Sequence, residues 1–104
     1  MSTKITWTTL AKLTYYEEID FIDVKWNLKE VEKFILLVED FVDTLSTGVV
    51  TGKFYPNNNI NSIVISEQTA LFYREYPERN EITLLLFWNN QKDTVTLKRL
   101  LKQI

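Results

Sequence analysis

The spacing of apolar positions changes along the chain, and each change marks an element. Lys4, Ile5, Thr6, Trp7 and Thr8 alternate polar and apolar side chains, the pattern of a short half-buried strand. From Leu10 the period lengthens. Tyr15, Ile19, Ile22 and Trp26 fall on one helical stripe, and Glu17, Glu18, Asp20 and Asp23 are assigned to the outer face. Asn27-Leu28-Lys29-Glu30 reads as a capping box, the Asn27 side chain accepting from the third helical N–H while Glu30 reaches back. The helix it opens carries a regular stripe of Val31, Phe34, Ile35, Val38, Phe41, Val42 and Leu45, and Gly48 is a natural left-handed terminator. With almost no loop between them, the two helices are expected to fold back as an antiparallel hairpin.

Beyond Gly48 the helical period stops. Residues 49–55 are β-branched and aromatic, and Pro56, Asn57, Asn58 and Asn59 form a turn sequence after them. Further strands are expected over 60–65, 70–76 and 81–88, the last two joined by a turn at 77–80. Residues 82–88 are apolar on both alternating faces, which predicts an interior strand covered on both sides. Asp93 caps a final helix with Leu97, Leu100, Leu101 and Ile104 on its buried edge and Lys98, Arg99 and Lys102 facing out. The chain therefore reads as an α+β fold with an N-terminal strand, an antiparallel helix hairpin packed on a mainly antiparallel sheet, and a short C-terminal helix. The helices are expected on one face of the sheet. Residues 1–104 form a single domain with no repeat, linker or low-complexity tract.

Composition narrows the chemistry. A chain of 104 residues can bury one core. Apolar residues at 45% and charged residues at 25%, with two glycines and two prolines, belong to a compact fold. Three Trp, five Tyr and six Phe serve packing first and leave contact area for a partner. The absence of cysteine removes disulfides, thiolate metal ligands and a cysteine nucleophile. The absence of histidine removes the usual general base and the commonest zinc ligand. No cofactor and no metal are expected, and catalysis would fall to Lys, Arg, Tyr or carboxylates. No run approaches the ~18 apolar residues of a membrane span, so no membrane association and a cytoplasmic location are expected. The net charge of -2 hides an asymmetry: residues 1–52 carry five basic and nine acidic side chains, residues 53–104 seven and five. An anionic target would be met by the second half.

Lys53, beside Phe54 and Tyr55, suits either a phosphate contact or a strand-edge lysine that discourages sheet pairing. Arg74 suits an anionic target or a surface ion pair with Glu75 or a cross-strand acid. Trp88, Asn89, Asn90, Gln91 and Lys92, where the apolar strand runs into a polar loop, form the best candidate for target contact. The acidic faces of the first two helices are either solvated surface or a means of steering a basic partner segment.

The element order resembles the RelE/ParE toxins, in particular members labelled plasmid stabilisation proteins. The set comprises the leading Trp7 strand, paired helices closing on Leu45, a strand Ala70-Leu71-Phe72-Tyr73-Arg74, and Leu86-Phe87-Trp88 running into Asn89-Asn90-Gln91-Lys92-Asp93. The resemblance implies the toxin of a type II toxin-antitoxin system, neutralised by a cognate antitoxin whose extended or helical segment wraps it. It implies DNA gyrase or the ribosome as target, the second through mRNA cleavage. With Tyr73 set on the family's strand tyrosine, Ala70 stands where nuclease members carry a catalytic arginine, and Gln91 stands where the loop of the nearest patterns has arginine. Lys53, Arg74 and Lys92 remain as the candidate catalytic cations. The gyrase-binding, non-enzymatic branch is therefore favoured, with the endonuclease and a degenerate antitoxin-binding domain as the other readings. Without its antitoxin such a chain is expected to self-associate.

Overall fold

The computed structural model describes residues 3–48, 52–56 and 58–104. Strand β1 (Lys4–Trp7) leads into helix α1 (Thr9–Lys25), followed after two residues by helix α2 (Leu28–Ser46). Strands β2 (Lys53–Tyr55), β3 (Ile60–Val64), β4 (Thr69–Tyr76) and β5 (Glu81–Asn89) come next, and helix α3 (Thr94–Lys102) ends the chain. A short 3-10 turn, Pro77–Arg79, joins β4 to β5, with Asn80 in the left-handed region at φ 50°. The expected strand over 49–55 is described only from Gly52 onward; Val49, Val50 and Thr51 lie outside the described residues, as does Asn57 of the turn.

The sheet order is β1-β5-β4-β3-β2, with β1 parallel to β5 and the other pairs antiparallel. β5 is interior, as its two apolar faces require. The Thr8 hydroxyl caps α1 by accepting from Ala11 N–H at 2.9 Å, and Asn27 Oδ1 caps α2 by accepting from Glu30 N–H at 3.0 Å. The Glu30 carboxylate meets Lys33 at 3.3 Å. Gly48 carries φ +75°, the left-handed terminator that the end of the helical stripe calls for. Thr3 N–H donates to Ser46 O at 2.9 Å, returning the end of α2 to the start of β1 and closing the hairpin.

Two apolar layers sandwich the sheet. Under α1 and α2 lie Leu71, Tyr73, Ile82, Leu84 and Phe87 with Ala11, Ile22, Phe34 and Leu45. Trp7, Tyr15, Phe34 and Phe87 form a ring cluster there, with centroids 5.3 to 5.9 Å apart. Ile60, Ala70, Phe72, Leu85, Leu86 and Trp88 form the other layer, covered by Leu97, Leu100, Leu101 and Ile104. α3 thus lies on the face opposite the hairpin, which corrects the expectation of helices on one face. The reason is β5 itself, whose second apolar face needs a cover.

A β-bulge makes this double use possible. The pairing passes from Phe72↔Leu86 to Tyr73↔Leu84, so Leu85 is the extra residue and Leu85 and Leu86 both join the α3 layer. Backbone groups there find partners on α1: Thr8 Oγ1 donates to Leu85 O at 3.0 Å, and Phe87 N–H donates to Thr14 Oγ1 at 2.9 Å. Two expected placements around α1 are corrected. Glu18, assigned to the outer face, is only 2% exposed, and Trp26, assigned to the stripe, is 46% exposed. The buried face runs instead through Ala11, Thr14, Glu18 and Ile22, because Thr14 and Glu18 are held by polar partners in the sheet.

Candidate functional site

Directly paired residues of antiparallel strands share a face. Tyr55 pairs with Ile60, Lys53 with Ser62 and Ser62 with Phe72, so Lys53 and Tyr55 stand on the α3 side, and alternation along β4 puts Arg74 there too. Between α3 and the β2-β3 hairpin is a cavity of about 270 Å³, lined by Tyr55, Asn58, Ile60, Lys98, Leu101 and Lys102. Asp93 holds α3 at its start, accepting from Thr96 N–H at 2.7 Å and from the Thr96 hydroxyl at 3.0 Å; these bonds keep its carboxyl below the ordinary value. Lys98 and Lys102 stand on the cavity rim. The Lys53 ammonium lies 5.2 Å from the Tyr55 ring centre. Among the described residues no ion pair engages Lys53, Lys98 or Lys102. An apolar floor with ammonium groups at its edge suits an apolar side chain next to a carboxylate or a phosphate.

The sequence candidates separate in space. Arg74 is engaged by backbone: its Nε donates to Asn59 O at 3.1 Å and Nη2 to Asn58 O at 2.9 Å. It clamps the β2-β3 turn and forms no ion pair with Glu75. Lys53 sits on β2, an edge strand, where an edge lysine is expected. Lys92 lies beyond the opposite end of β4, with its ammonium 3.3 Å from Glu17 Oε2 and 5.5 Å from the Trp88 ring. The span from Thr69, level with the loop, to Arg74 is about 16 Å along the strand. Tyr73 is buried on the hairpin side. Its hydroxyl accepts from Gly52 N–H at 3.1 Å, and burial pushes its phenol above the ordinary value. A side chain at Gly52 would stand 2.1 Å from Ser62 O, so the approach of β2 to β3 requires glycine. Ala70 faces α3 beside Trp88.

The loop after β5 is divided by burial. Trp88 and Asn89 are enclosed, and Asn90, Gln91 and Lys92 are exposed. Asn89 Oδ1 accepts from Gln91 N–H at 2.8 Å, Asn89 O accepts from Lys92 N–H at 3.0 Å, and Asn90 N–H donates to Gln68 O at 2.7 Å. Beneath lies a buried polar cluster: Thr69 Oγ1 donates to Glu18 Oε2 at 2.5 Å, and Asn89 pairs with Thr69 across the strands. Among the described residues Glu18 Oε1 and Asn89 Nδ2 have no hydrogen-bond partner. Trp88 and Asn89 therefore anchor the loop, and the three residues after them present it.

The sequence did not show Tyr55, Asn58, Lys98 and Lys102 as one site, and its pattern put Glu18 on the outer face rather than in a buried cluster. The surplus of basic residues after position 52 was the available signal for the lysines. Nothing in helical spacing marks a glutamate for burial when its partner is 51 residues away.

No family model and no curated protein matches the chain. Among solved structures it is similar to a chain of the chromosomal ParDE TA system from P. aeruginosa, with a TM-score of 0.70 and 14% identity over 85% of this chain and 96% of that one. It is also similar to a chain of the toxin-antitoxin complex RelBE2 from Mycobacterium tuberculosis, with a TM-score of 0.55 and 12% identity over 86% and 99%. The fold is the one it shares with these two chains.

Proposed function

We propose that the chain is the toxin of a bacterial type II toxin-antitoxin pair, of the ParE kind, which works in the cytoplasm by binding a large cellular target such as DNA gyrase and is silenced by a cognate antitoxin. The fold likeness to chains of toxin-antitoxin complexes supports the antitoxin partner. The observation favouring binding over cleavage is the dispersal of the cations. Arg74 is committed to two carbonyls and Lys92 sits beyond the other end of β4, and Ala70 stands where the family resemblance would set a catalytic arginine. A phosphoryl transition state needs such groups converged on one atom, and loss of one costs ~10²-fold to 10³-fold in rate. The α3 groove and the exposed residues 90–92 are the contact surfaces of this reading. Exposed Tyr55 at the groove edge and exposed Phe54 on the other face of β2 favour self-association when the antitoxin is absent.

A ribosome-dependent endonuclease of the RelE kind is the second reading, favoured by Lys53 over the ring of Tyr55, which lines one cavity with Lys98 and Lys102. Induced expression followed by two assays separates them. Loss of gyrase supercoiling by purified protein, with intact translated messages, supports the binding toxin. Prompt cuts at codon positions in primer extension, abolished by Lys53→Ala, overturn it. Growth without arrest, with retained binding to the product of an adjacent small reading frame, overturns it in favour of a degenerate antitoxin-binding domain.

A further inference from the structure

On the hairpin side, away from the α3 groove, two shallow cavities of about 430 and 470 Å³ adjoin along α2, with Lys33 and Leu37 as the wall between them, and are taken together as a furrow. Its floor begins at Ile22, Trp26 and Phe34 and passes Leu37 to Leu36, which is 65% exposed. Trp26 is set in place at the α1-α2 corner by Lys25, whose ammonium lies 4.7 Å from its ring and 5.4 Å from that of Phe21. The walls are acidic. Glu30 and Glu67 line the first part and Glu39, Asp40 and Asp43 the second, against Lys33 alone, whose ammonium is already 3.3 Å from Glu30. Besides the buried stripe through Val31, Phe34, Val38 and Leu45, α2 carries the exposed Leu36 and the half-buried Leu37, with Glu39 and Asp40 one turn beyond and Asp43 two.

We infer that this furrow is a second docking surface, which takes a basic amphipathic helical segment of a partner protein. From Glu30 to Asp43 α2 runs about 20 Å, the length of a helix of about 13 residues laid along it. Such a segment would set apolar side chains on Trp26, Leu36 and Leu37 and its Lys or Arg side chains on the five carboxylates. The surplus of four carboxylates over the single ammonium, five minus one, selects this chemistry against an acidic segment. The furrow lies across the sheet from the α3 groove and is opposite in charge, so one partner with two unlike segments, or two partners, can occupy both at once. The inference is independent of the toxin reading, and its test needs no toxicity.

The probe is a 13-residue Lys/Leu amphipathic peptide, with its Glu/Leu counterpart of equal spacing, titrated into the ¹⁵N-labelled full chain. The expected result is saturable shifts confined to the Trp26 indole, Lys33, Leu36, Leu37 and residues 66–68 with the basic peptide only. Asp40→Lys with Asp43→Lys should weaken it on the order of tenfold. Leu36→Glu, at an exposed position that leaves the core untouched, should abolish it. Glu75→Lys with Glu78→Lys, which alters net charge equally on another surface, should leave it within about twofold. Equal binding of both peptides, shifts spread over the acidic surface, equal weakening by the control pair, or no binding would overturn the inference. So would sedimentation of the free chain as a dimer that Leu36→Glu dissociates, since a second copy would then be the occupant.

Discussion

On the hairpin side of the sheet, Leu71, Tyr73, Leu84 and Phe87 are closed under two helices of 17 and 19 residues. On the other side Ile60, Phe72 and Leu86 are closed under a helix of nine, none of whose own residues is buried. A fully buried large apolar side chain contributes about 1.5–3 kcal/mol, so the hairpin layer carries most of the stability. The α3 layer hides the sheet's second face with half-buried leucines and keeps lysines at the margin. Binding surfaces are drawn from the less stable parts of a structure, because only those can open or adapt at small cost.

The sharpest way to break this contrast is to remove one side chain from each layer. Phe87→Ala should lose about 3–5 kcal/mol, since it empties the ring cluster, whereas Leu101→Ala, half-buried, should lose about 1 kcal/mol. Urea unfolding measures both, and comparable losses would mean that α3 is as integral as the hairpin. Next in size is the link between the layers at the sheet's end. Glu18→Leu strands the buried Thr69 hydroxyl and should cost about 1–3 kcal/mol. Glu18→Gln keeps an acceptor for it and should stay within about 1 kcal/mol of the parent. A loss from the glutamine variant as large as that from the leucine variant would show that the charge, not the hydrogen bond, is required.

How much of this was legible in the sequence depended on the range of the forces involved. The helices, their caps at Asn27 and Asp93, the turn at Gly48 and the doubly apolar strand β5 are local patterns and were readable. The side of the sheet taken by α3 was not, since it depends on which face α1 and α2 leave bare. Glu18 and Trp26 exchanged their expected environments because a threonine on β4 and a lysine on α1 offered partners that periodicity does not register. Of the site, Lys53, Arg74 and Lys92 were picked by residue type. Their spatial separation, and the convergence of Tyr55 with Lys98 and Lys102, came only from strand register and helix docking.

A smaller effect follows from the buried phenols of the hairpin layer. Burial raises both Tyr15 and Tyr73 above the ordinary 10.0. With the folded value higher, the unfolded chain loses its protons first. The stabilisation is therefore fully present below pH ~10 and falls as pH rises through the folded values. Unfolding midpoints measured between pH 8 and 12, at about one-unit steps, should stay level and then drop, and the drop should be shallower in Tyr15→Phe. The smallest expected change in stability is at the groove margin, where Lys98→Gln with Lys102→Gln should alter it by no more than about 0.5 kcal/mol while weakening the α3 groove's hold on an acidic partner. A large stability loss there would make the lysines structural.

The bulge at Leu85 also determines how the chain tolerates length changes. β5 has nine residues against eight in β4, and the surplus one sits where the alternation of faces is reset. Removing Leu85 would leave Leu84, Leu86, Phe87 and Trp88 on the faces they now occupy, at the loss of one apolar side chain. Adding a residue between Leu86 and Phe87 would invert everything downstream, turning Phe87 toward α3 and Trp88 into the ring cluster. The strand is thus lenient to shortening at one position and intolerant of lengthening at the next, so drift in this protein's length should be accommodated in its loops and, within β5, by deletion at the bulge alone.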